Sequence, residues 1–555
     1  MISTRKWIKP ILMATAMTGC VSIASAQYEK PLYNDALYLG NIYSTSSNPT
    51  SISFAPLDMY TDINVSYGLT RGDYHDVDRS SKINGLGIEI KGLKKFKRAA
   101  CFGSITYNND TEYERCWNSS LFPSFDNPYI LGDSIISDFR SEIFTLQGIA
   151  SYHPAEDWTL AVDLNYKVGS SSDQTDPRSE STGMRFNATP GVTWHCADRW
   201  SVGLSANIGF YKEKTTHTVI NTQRTYSIFV FSGLGFHDGI TTNSTLGSGY
   251  KRDYSGMNYG GAIQLAYEGD RISNFLEIGA DIRYEDARDG GKTIEYKGGD
   301  YDRTSFGLKE RFSIAGDRLM HNITLAASMR KVEGMSYTQE LRNNPNKNNE
   351  KYYVVLDSAV TYTEDAFEAS IEYRMDVMRN ETPWLTWYVG ADMRQSKANR
   401  YFYADYEQNY TRLTAKAGVN KNFFIKESLL SLAVDGEYAL PLSNDDYTIY
   451  DRSTVKTDNA TGFIVFNKKD VMPERYIYPR YEYRSSAYAA VGVKLSTDIP
   501  ISTRNSRVWL GASAQVRAAF YLGDAEYYNL LHEEIPNLLD DTKRINARFG
   551  IHLKF

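Results

Sequence analysis

The chain has 555 residues, with 61 Lys plus Arg against 67 Asp plus Glu and a mean hydropathy of −0.45. A polytopic helical membrane protein is excluded, because each helical span needs about 20 consecutive apolar residues and no such run occurs after the first 26 residues. The 42 Tyr and 24 Phe, beside 16 Pro and 4 Cys, are unusual for a cytosolic enzyme and suit an extended sheet with one face in lipid.

Residues 1–26 read as an export signal. Arg5, Lys6 and Lys9 precede a short apolar stretch, and Ala24-Ser25-Ala26 supplies the small-residue cleavage site. Met17-Thr18-Gly19-Cys20 loosely resembles a lipoprotein signal, but the Ala-x-Ala site fits better. Losing three cations and no acids takes the formal charge from −6 to −9. Residues 27–60 are expected to form a periplasmic or plug segment and 61–555 the folded domain. Cys101, Cys116 and Cys196 are then left, an odd and sparse set without Cys-x-x-Cys spacing. It is neither a disulfide framework nor a zinc motif. Cys101 and Cys116 are expected to stay unpaired, because a rising strand would separate them unless the next loop folded back into the lumen.

Period-two alternation dominates the folded domain. Trp158, Leu160, Val162, Leu164, Tyr166 and Val168 share one face of a strand, with Thr159, Ala161, Asp163, Asn165 and Lys167 on the other. The same pattern recurs from Trp200, from Leu276 and from Phe367, in runs of about 10 residues, the length that crosses a bilayer when tilted. Eighteen such strands are expected, beginning near Asp62, Gly85, Ala99, Ile143, Trp158, Arg185, Trp200, Gly256, Phe275, Phe306, Met320, Ala366, Trp384, Leu413, Leu429, Ala487, Val508 and Arg544. Glu310 breaks the rule by falling on an apolar face, which predicts a bulge or a shifted register there. Short gaps such as 153–157 and 196–199 alternate with long ones such as 109–141, 212–255, 333–364 and 441–486. A soluble sandwich has no reason to sort its loops this way. The expected fold is therefore all-β: a single transmembrane antiparallel β-barrel of about 18 strands (16–20), with short periplasmic turns and long extracellular loops, in a Gram-negative outer membrane.

Residues 544–555 alternate Ile545, Ala547, Phe549, Ile551, Leu553 and Phe555 against polar partners. They resemble the closing strand of bacterial outer-membrane barrels. Asn48-Pro49-Thr50 with Ser53-Phe54 is similar, over a few residues, to the stretch before the first strand of fatty-acid-transporter-type barrels. Gly85-Leu86-Gly87, Trp117-Asn118, Asn127-Pro128-Tyr129 with Asp133-Ser134-Ile135, and Asp176-Pro177-Arg178 resemble uncharacterised outer-membrane barrels of Bacteroidota. That resemblance implies a fold and a location, and no activity.

No G-x-S-x-G, H-E-x-x-H or phosphate-loop motif is present. Catalytic, metal-binding and cofactor-binding residues are not expected, and the net negative charge gives no reason for nucleic-acid binding. The inward face carries the chemistry. Asp163, Glu277, Asp281, Glu368, Glu372, Asp392, Asp435 and Glu437 share it with Lys167, Arg283, Lys309, Arg311, Arg330, Arg374, Arg394, Lys494, Arg517 and Arg548. Such charges either pair into a network that fills the lumen or set up a field along a solute path. Aromatic rings crowd the long loops, first at Tyr401, Phe402, Tyr403, Tyr406 and Tyr410. They suit docking on sugars or proteins, or packing of the loops on themselves. The sequence thus points to a channel or transporter for a small solute, with an apolar one among the candidates. The alternative is a non-conducting barrel within an envelope complex. In both, the lipid bilayer and lipopolysaccharide are expected contacts.

Overall fold

The computed structural model describes residues 38–555 except 40, 125, 222, 243–248, 291–293, 345–349, 380–381, 402–405, 450–472, 504–505 and 529–533. The expected export signal lies outside the described residues. Eighteen strands form the wall. They are β1 (Met59–Arg71), β2 (Lys82–Lys95), β3 (Ala99–Arg115), β4 (Ser137–Ala155), β5 (Trp158–Asp173) and β6 (Arg178–Ala197). Next come β7 (Trp200–Thr218), β8 (Tyr250–Glu268), β9 (Ile272–Gly290), β10 (Glu295–Ala315), β11 (Leu319–Asn344) and β12 (Glu350–Arg379). The last are β13 (Thr382–Arg400), β14 (Tyr406–Ile425), β15 (Ser428–Ile449), β16 (Tyr488–Thr503), β17 (Ser506–Tyr521) and β18 (Lys543–Lys554).

Each strand pairs antiparallel with its sequence neighbour, and β18 returns to β1, with Asp62 opposite Lys554 and Arg71 opposite Ile545. Closure leaves no free edge, which a sheet in lipid requires. Seventeen of the expected starts fall inside these strands, and Ala487 lies one residue before β16.

The alternation becomes an outward apolar band. Trp158, Trp194, Trp200 and Tyr152 mark its short-turn rim, with Trp158 stacked on Trp194 at 5.7 Å and Trp200 beside Tyr267 at 5.0 Å. Phe144, Tyr166, Phe210 and Tyr259 mark the other rim. Trp158 to Tyr166 is about 26 Å along the strand at about 3.3 Å per residue, hence about 20 Å of height at a tilt of about 40°. A closed barrel with two aromatic rims flanking an apolar belt of that height is an outer-membrane barrel of a Gram-negative cell.

Leu204 lies near mid-belt, 55% exposed and paired with the equally lipid-facing Ile263. Leu204→Arg is expected to cost about 2–4 kcal/mol, whereas Asn207→Arg, on the lumen face, costs less. Urea midpoints of both variants folded into vesicles check this; equal costs would mean that the faces are exchanged.

Two expectations need correction. The strands are longer than bilayer crossing demands, and the gap read at 333–364 is mostly a hairpin. Beyond Gly334 and Tyr362, β11 and β12 pair with each other out to Asn344 and Glu350. Glu310 sits in regular register, opposite Leu276 and Leu325, with no bulge. Strand alternation puts it on the outward row, where the Asn274 amide donates to its carboxylate at 2.9 Å.

Candidate functional site

The lumen is filled unevenly, from both ends. At the short-turn mouth, residues 41–54 lie against the inner wall. Asn48 starts a 3₁₀ turn, Pro49–Phe54, its carboxamide oxygen accepting from the Thr50 N–H at 3.1 Å. Proline at the first helical position suits such a start, since it forgoes a donor that would be unpaired there. The Asn48 amide donates to the carbonyls of Val192 and Leu204 and to Gln264 at 3.0, 3.3 and 3.1 Å. Gly191 makes the approach possible: a Cβ there would stand 2.1 Å from Asn48 Oδ1. Glu277 accepts from the Ser47 N–H at 2.7 Å, while Arg311 donates to Asn41 O at 3.0 Å and Ser44 Oγ at 2.6 Å.

At the extracellular end, residues 116–136 turn inward at Trp117, which adopts a left-handed φ of 67°. The neck of this loop is a short ladder, with Trp117 N–H donating to Asp133 O and Ser119 N–H to Leu131 O. Gly132 admits it, because a Cβ there would lie 2.2 Å from Trp117 O. Strand Leu131–Asp133 joins Tyr226–Phe231 and His237–Thr242 in a small sheet. Helix α1 (Tyr478–Ser485) packs on it through the turn before it, and Trp117, Ile130, Phe231, Tyr476 and Ile477 form one buried cluster. Arg480 reaches Asp78 at 3.5 Å and Arg484 reaches Asp76 at 3.3 Å, tying the helix to the β1–β2 connection.

The loop tip is clamped to the wall by charge. Glu213 accepts from the N–H groups of Leu121 and Phe122 at 2.7 and 3.1 Å. Phe122 lies under Lys167 and Arg185, 4.9 and 5.1 Å from its ring centre. Asp126 faces Arg303 at 3.5 Å and Arg330 at 3.6 Å. Asn127 donates to Glu285 at 2.7 Å, and Tyr254 donates to Tyr129 O at 2.9 Å. Burial would raise the Asp126 carboxyl, but the Ser124 hydroxyl and the two guanidinium groups hold it below the usual range. Burial pushes Asp133 up to about 7 against the pull of the Ile135 N–H. Its proton stabilises the folded loop at low pH, and that contribution is lost as pH rises from about 4 through 7. A narrow crevice between tip and wall, with room for about one water molecule, is lined by Phe122, Asn127, Tyr211, Tyr254, Arg283 and Glu285.

The opposite wall stays wet. Glu368 and Asp392 side chains on β12 and β13 are 45% and 43% exposed to the lumen, whereas Arg252 and Asp289 beside the loop are both at 0%. Arg394 lies 3.5 Å from Glu368, and Lys416 sits 3.7 Å from Glu372 and 3.2 Å from Asp392. Arg517 bridges Asp435 and Glu437 at 2.6 Å each. Carboxylates therefore predominate at mid-height on β12–β15, and Lys494, Arg517 and Arg548 come next on β16–β18.

The remaining expected lumen residues divide between the two plugs and the wall. Asp163 accepts from Gln147 at 2.9 Å, Asp281 from Arg303 at 2.9 Å, and Arg283 donates to Glu285 at 2.8 Å. Lys309 pairs with Glu277 at 3.3 Å, and Arg374 with Asp376 at 2.8 Å. Sequence reasoning missed Glu213, Glu285, Arg303 and Lys416. Lys416 was legible, since it falls between outward Ala415 and Ala417; the other three lie past the clean alternation. Among the aromatic candidates, Tyr401 is exposed, whereas Tyr410 is buried against Tyr481 at 6.3 Å. Tyr476, Tyr478 and Tyr481 are also buried, so these rings hold the cap together. Phe402, Tyr403 and the Tyr406 side chain lie outside the described residues.

Among the described residues, Cys101, Cys116 and Cys196 are all free. The loop descends without a disulfide because Cys116 stays at its neck, while the lumen is reached only further along. Burial pushes the Cys116 thiol up to about 12, with Asp133 and Asp78 adding to the rise. Denatured, unreduced protein should show three free thiols by mass. In the folded state Cys116 should alkylate far more slowly than exposed Cys196; equal rates would mean that the neck opens.

A family described as being of unknown function, DUF6850, matches residues 49–555. The chain belongs to DUF6850. The matched span takes in the Pro49–Phe54 turn as well as the whole wall. No curated protein matches the chain. Among solved structures, this DUF6850 barrel is similar to the RagAB peptide transporter at 7% identity and a TM-score of 0.40, over 90% of this chain and 86% of that one. It is also similar to a FadL homologue of Pseudomonas aeruginosa at 9% identity and a TM-score of 0.34, over 96% and 97% of the two chains. A third is the ferric preacinetobactin receptor BauA of Acinetobacter baumannii, at 10% identity and a TM-score of 0.35, over 90% and 80%. At such scores the likeness is one of outline.

Proposed function

We propose that this barrel is an outer-membrane transporter for a small polar solute, whose path runs along the inner wall of β12–β18. The observation that carries the reading is the asymmetry of the lumen. Glu213, Glu285, Arg252 and Asp289 beside the loop are buried, while Glu368, Glu372, Asp392 and Arg394 remain open to water. Opposed charges along a wet wall orient a dipolar solute and disfavour an apolar one. Residues 27–60 act in this reading as the periplasmic plug, and lipopolysaccharide surrounds the outer rim. The resemblance to Bacteroidota barrels belongs to the same proposal, and no enzymatic step does.

Planar-bilayer recordings of the purified chain test it. A measurable conductance is expected, with a cation preference that falls in Glu368→Gln/Asp392→Asn. A silent barrel would favour the second reading, a partner-binding envelope component. One observation speaks for that alternative. The β11–β12 hairpin extends well past its neighbours and exposes Leu341, Tyr352 and Leu356.

A further inference from the structure

We propose that Lys494, Gln515 and Arg548 form a subsite on the lumen wall for an anionic group, a carboxylate or a phosphate, carried by the solute. The three residues lie in one cross-strand row. Gln515 on β17 is directly opposite Lys494 on β16 and directly opposite Arg548 on β18. Directly opposed residues have Cβ atoms about 5 Å apart, so the row presents two cations flanking a carboxamide. All three are exposed, and they point inward because Val493, Val516 and Phe549 beside them are exposed on the lipid face.

Neither cation is neutralised. Among the described residues Lys494 and Arg548 form no ion pair, and Arg548 only donates to Ser66 Oγ at 2.9 Å. The nearest carboxylates on that side, Asp435 and Glu437, are both taken by Arg517. Elsewhere on the wall the rule is the opposite: Arg394, Lys416 and Arg517 each hold a carboxylate. Lys494 and Arg548, at one level with Gln515 between them, therefore differ from the paired cations of β13, β14 and β17.

The wall beside the row is also recessed. The residue opposite Arg548 on β1 is Gly68, and a Cβ there would meet nothing nearer than a backbone oxygen at 3.9 Å. Ser66 Oγ accepts from the Arg548 guanidinium, and Ser513 lies over Gly550, two residues further along β18. A planar guanidinium with free donors and an ammonium beside the open position at Gly68 match the acceptor geometry of carboxylate and phosphate oxygens, and the Asp110 carboxylate, which stands over Gly85 one strand further on, bounds that position on its far side. With the carboxylate-rich arc of β12–β15 on the neighbouring wall, a solute bearing both signs is the class that satisfies the whole lumen.

The inference deepens the transport reading, but its test needs only water in the lumen, not conduction. In a chain with Cys101, Cys116 and Cys196 replaced by Ser, Gln515→Cys is treated with an anionic and with a cationic methanethiosulfonate reagent. Each rate is divided by that reagent's rate with a free thiol. The anionic reagent should react about a hundredfold faster than the cationic one, since two unit charges about 6 Å away in water speed the first and slow the second by about tenfold each. Lys494→Gln with Arg548→Gln should bring the ratio to about one, and Lys494→Arg with Arg548→Lys should restore it. Inorganic phosphate and acetate, added in separate arms, should each slow the anionic reagent, and the stronger one identifies the preferred group. A ratio at or below one, or a ratio unchanged by the double Gln variant, would overturn the subsite. A preserved ratio in a barrel without conductance would instead overturn the transport path and leave the subsite standing.

Discussion

Asp289→Ala is expected to destabilise the extracellular end of the barrel by about 3–5 kcal/mol. Arg252 and Asp289 face each other across β8 and β9, Nε to Oδ1 at 2.5 Å and the second guanidinium nitrogen to Oδ2 at 2.6 Å, and neither side chain is accessible. The fork geometry uses both carboxylate oxygens, which is the arrangement that best offsets desolvation of the two charges. Removing the carboxylate leaves a guanidinium that cannot shed its proton and cannot reach water. Replacing the pair together, Arg252→Met with Asp289→Leu, should cost much less, since apolar residues of similar bulk avoid the desolvation penalty. Urea unfolding in vesicles separates the two, and hydrogen exchange at residues 252–255 should rise in the single variant alone. If single and double variants lose the same stability, the unpaired charge is not the cause.

Much of the wall was legible because lipid imposes a single rule on it. Every second residue from Trp158 to Val168 must be apolar where the strand crosses the belt, and polar where it faces water, so the period of the strand appears in the letters. The same rule explains the misreading of 333–364. Above the outer rim both faces of β11 and β12 are wet, so Tyr352, Val355 and Leu356 obey no period although the ladder continues. The plug loop was harder still. Phe122, Asp126 and Asn127 act through contacts with β6, β7, β9, β10 and β11, distant in sequence, and although Trp117, Leu121, Phe122, Tyr129, Ile130 and Leu131 make this loop apolar, they follow no period that says which wall it packs on. Glu310 shows a different limit. One hydrogen bond from Asn274 partners a carboxylate on the outward row, and pairing between neighbouring strands cannot be read before the register is known.

Replacing residues 120–129 by a short Gly-Ser linker should raise conductance several-fold and shift selectivity toward anions. The neck would survive, because Trp117 and Ser119 pair with Asp133 and Leu131 through backbone groups that the change leaves intact. The tip would be gone, and with it the side chains that cover Glu213, Glu285, Arg303 and Arg330. Once wetted, these groups would line a second wall, joined by Lys167 and Arg185, which are freed from Phe122. The change removes the Asp126 carboxylate and leaves Arg303, Arg330, Lys167 and Arg185 in place, which gives the expected sign of the selectivity change. Loss of the buried Leu121, Phe122 and Tyr129 would cost stability, by about 1.5–3 kcal/mol for an apolar side chain, but the stranded charges regain water and offset part of it. Asp126→Ala is the gentler companion. It removes the one carboxylate shared by Arg303 and Arg330 and should increase open events without altering the size of the fully open step. Both are read in planar bilayers at fixed salt. If the shortened loop conducts no more than the intact chain, the constriction lies at the periplasmic mouth, where Asn48 and Arg311 hold residues 41–54 against the wall. The loop would then be a structural filling, and the partner-binding reading would gain by its failure.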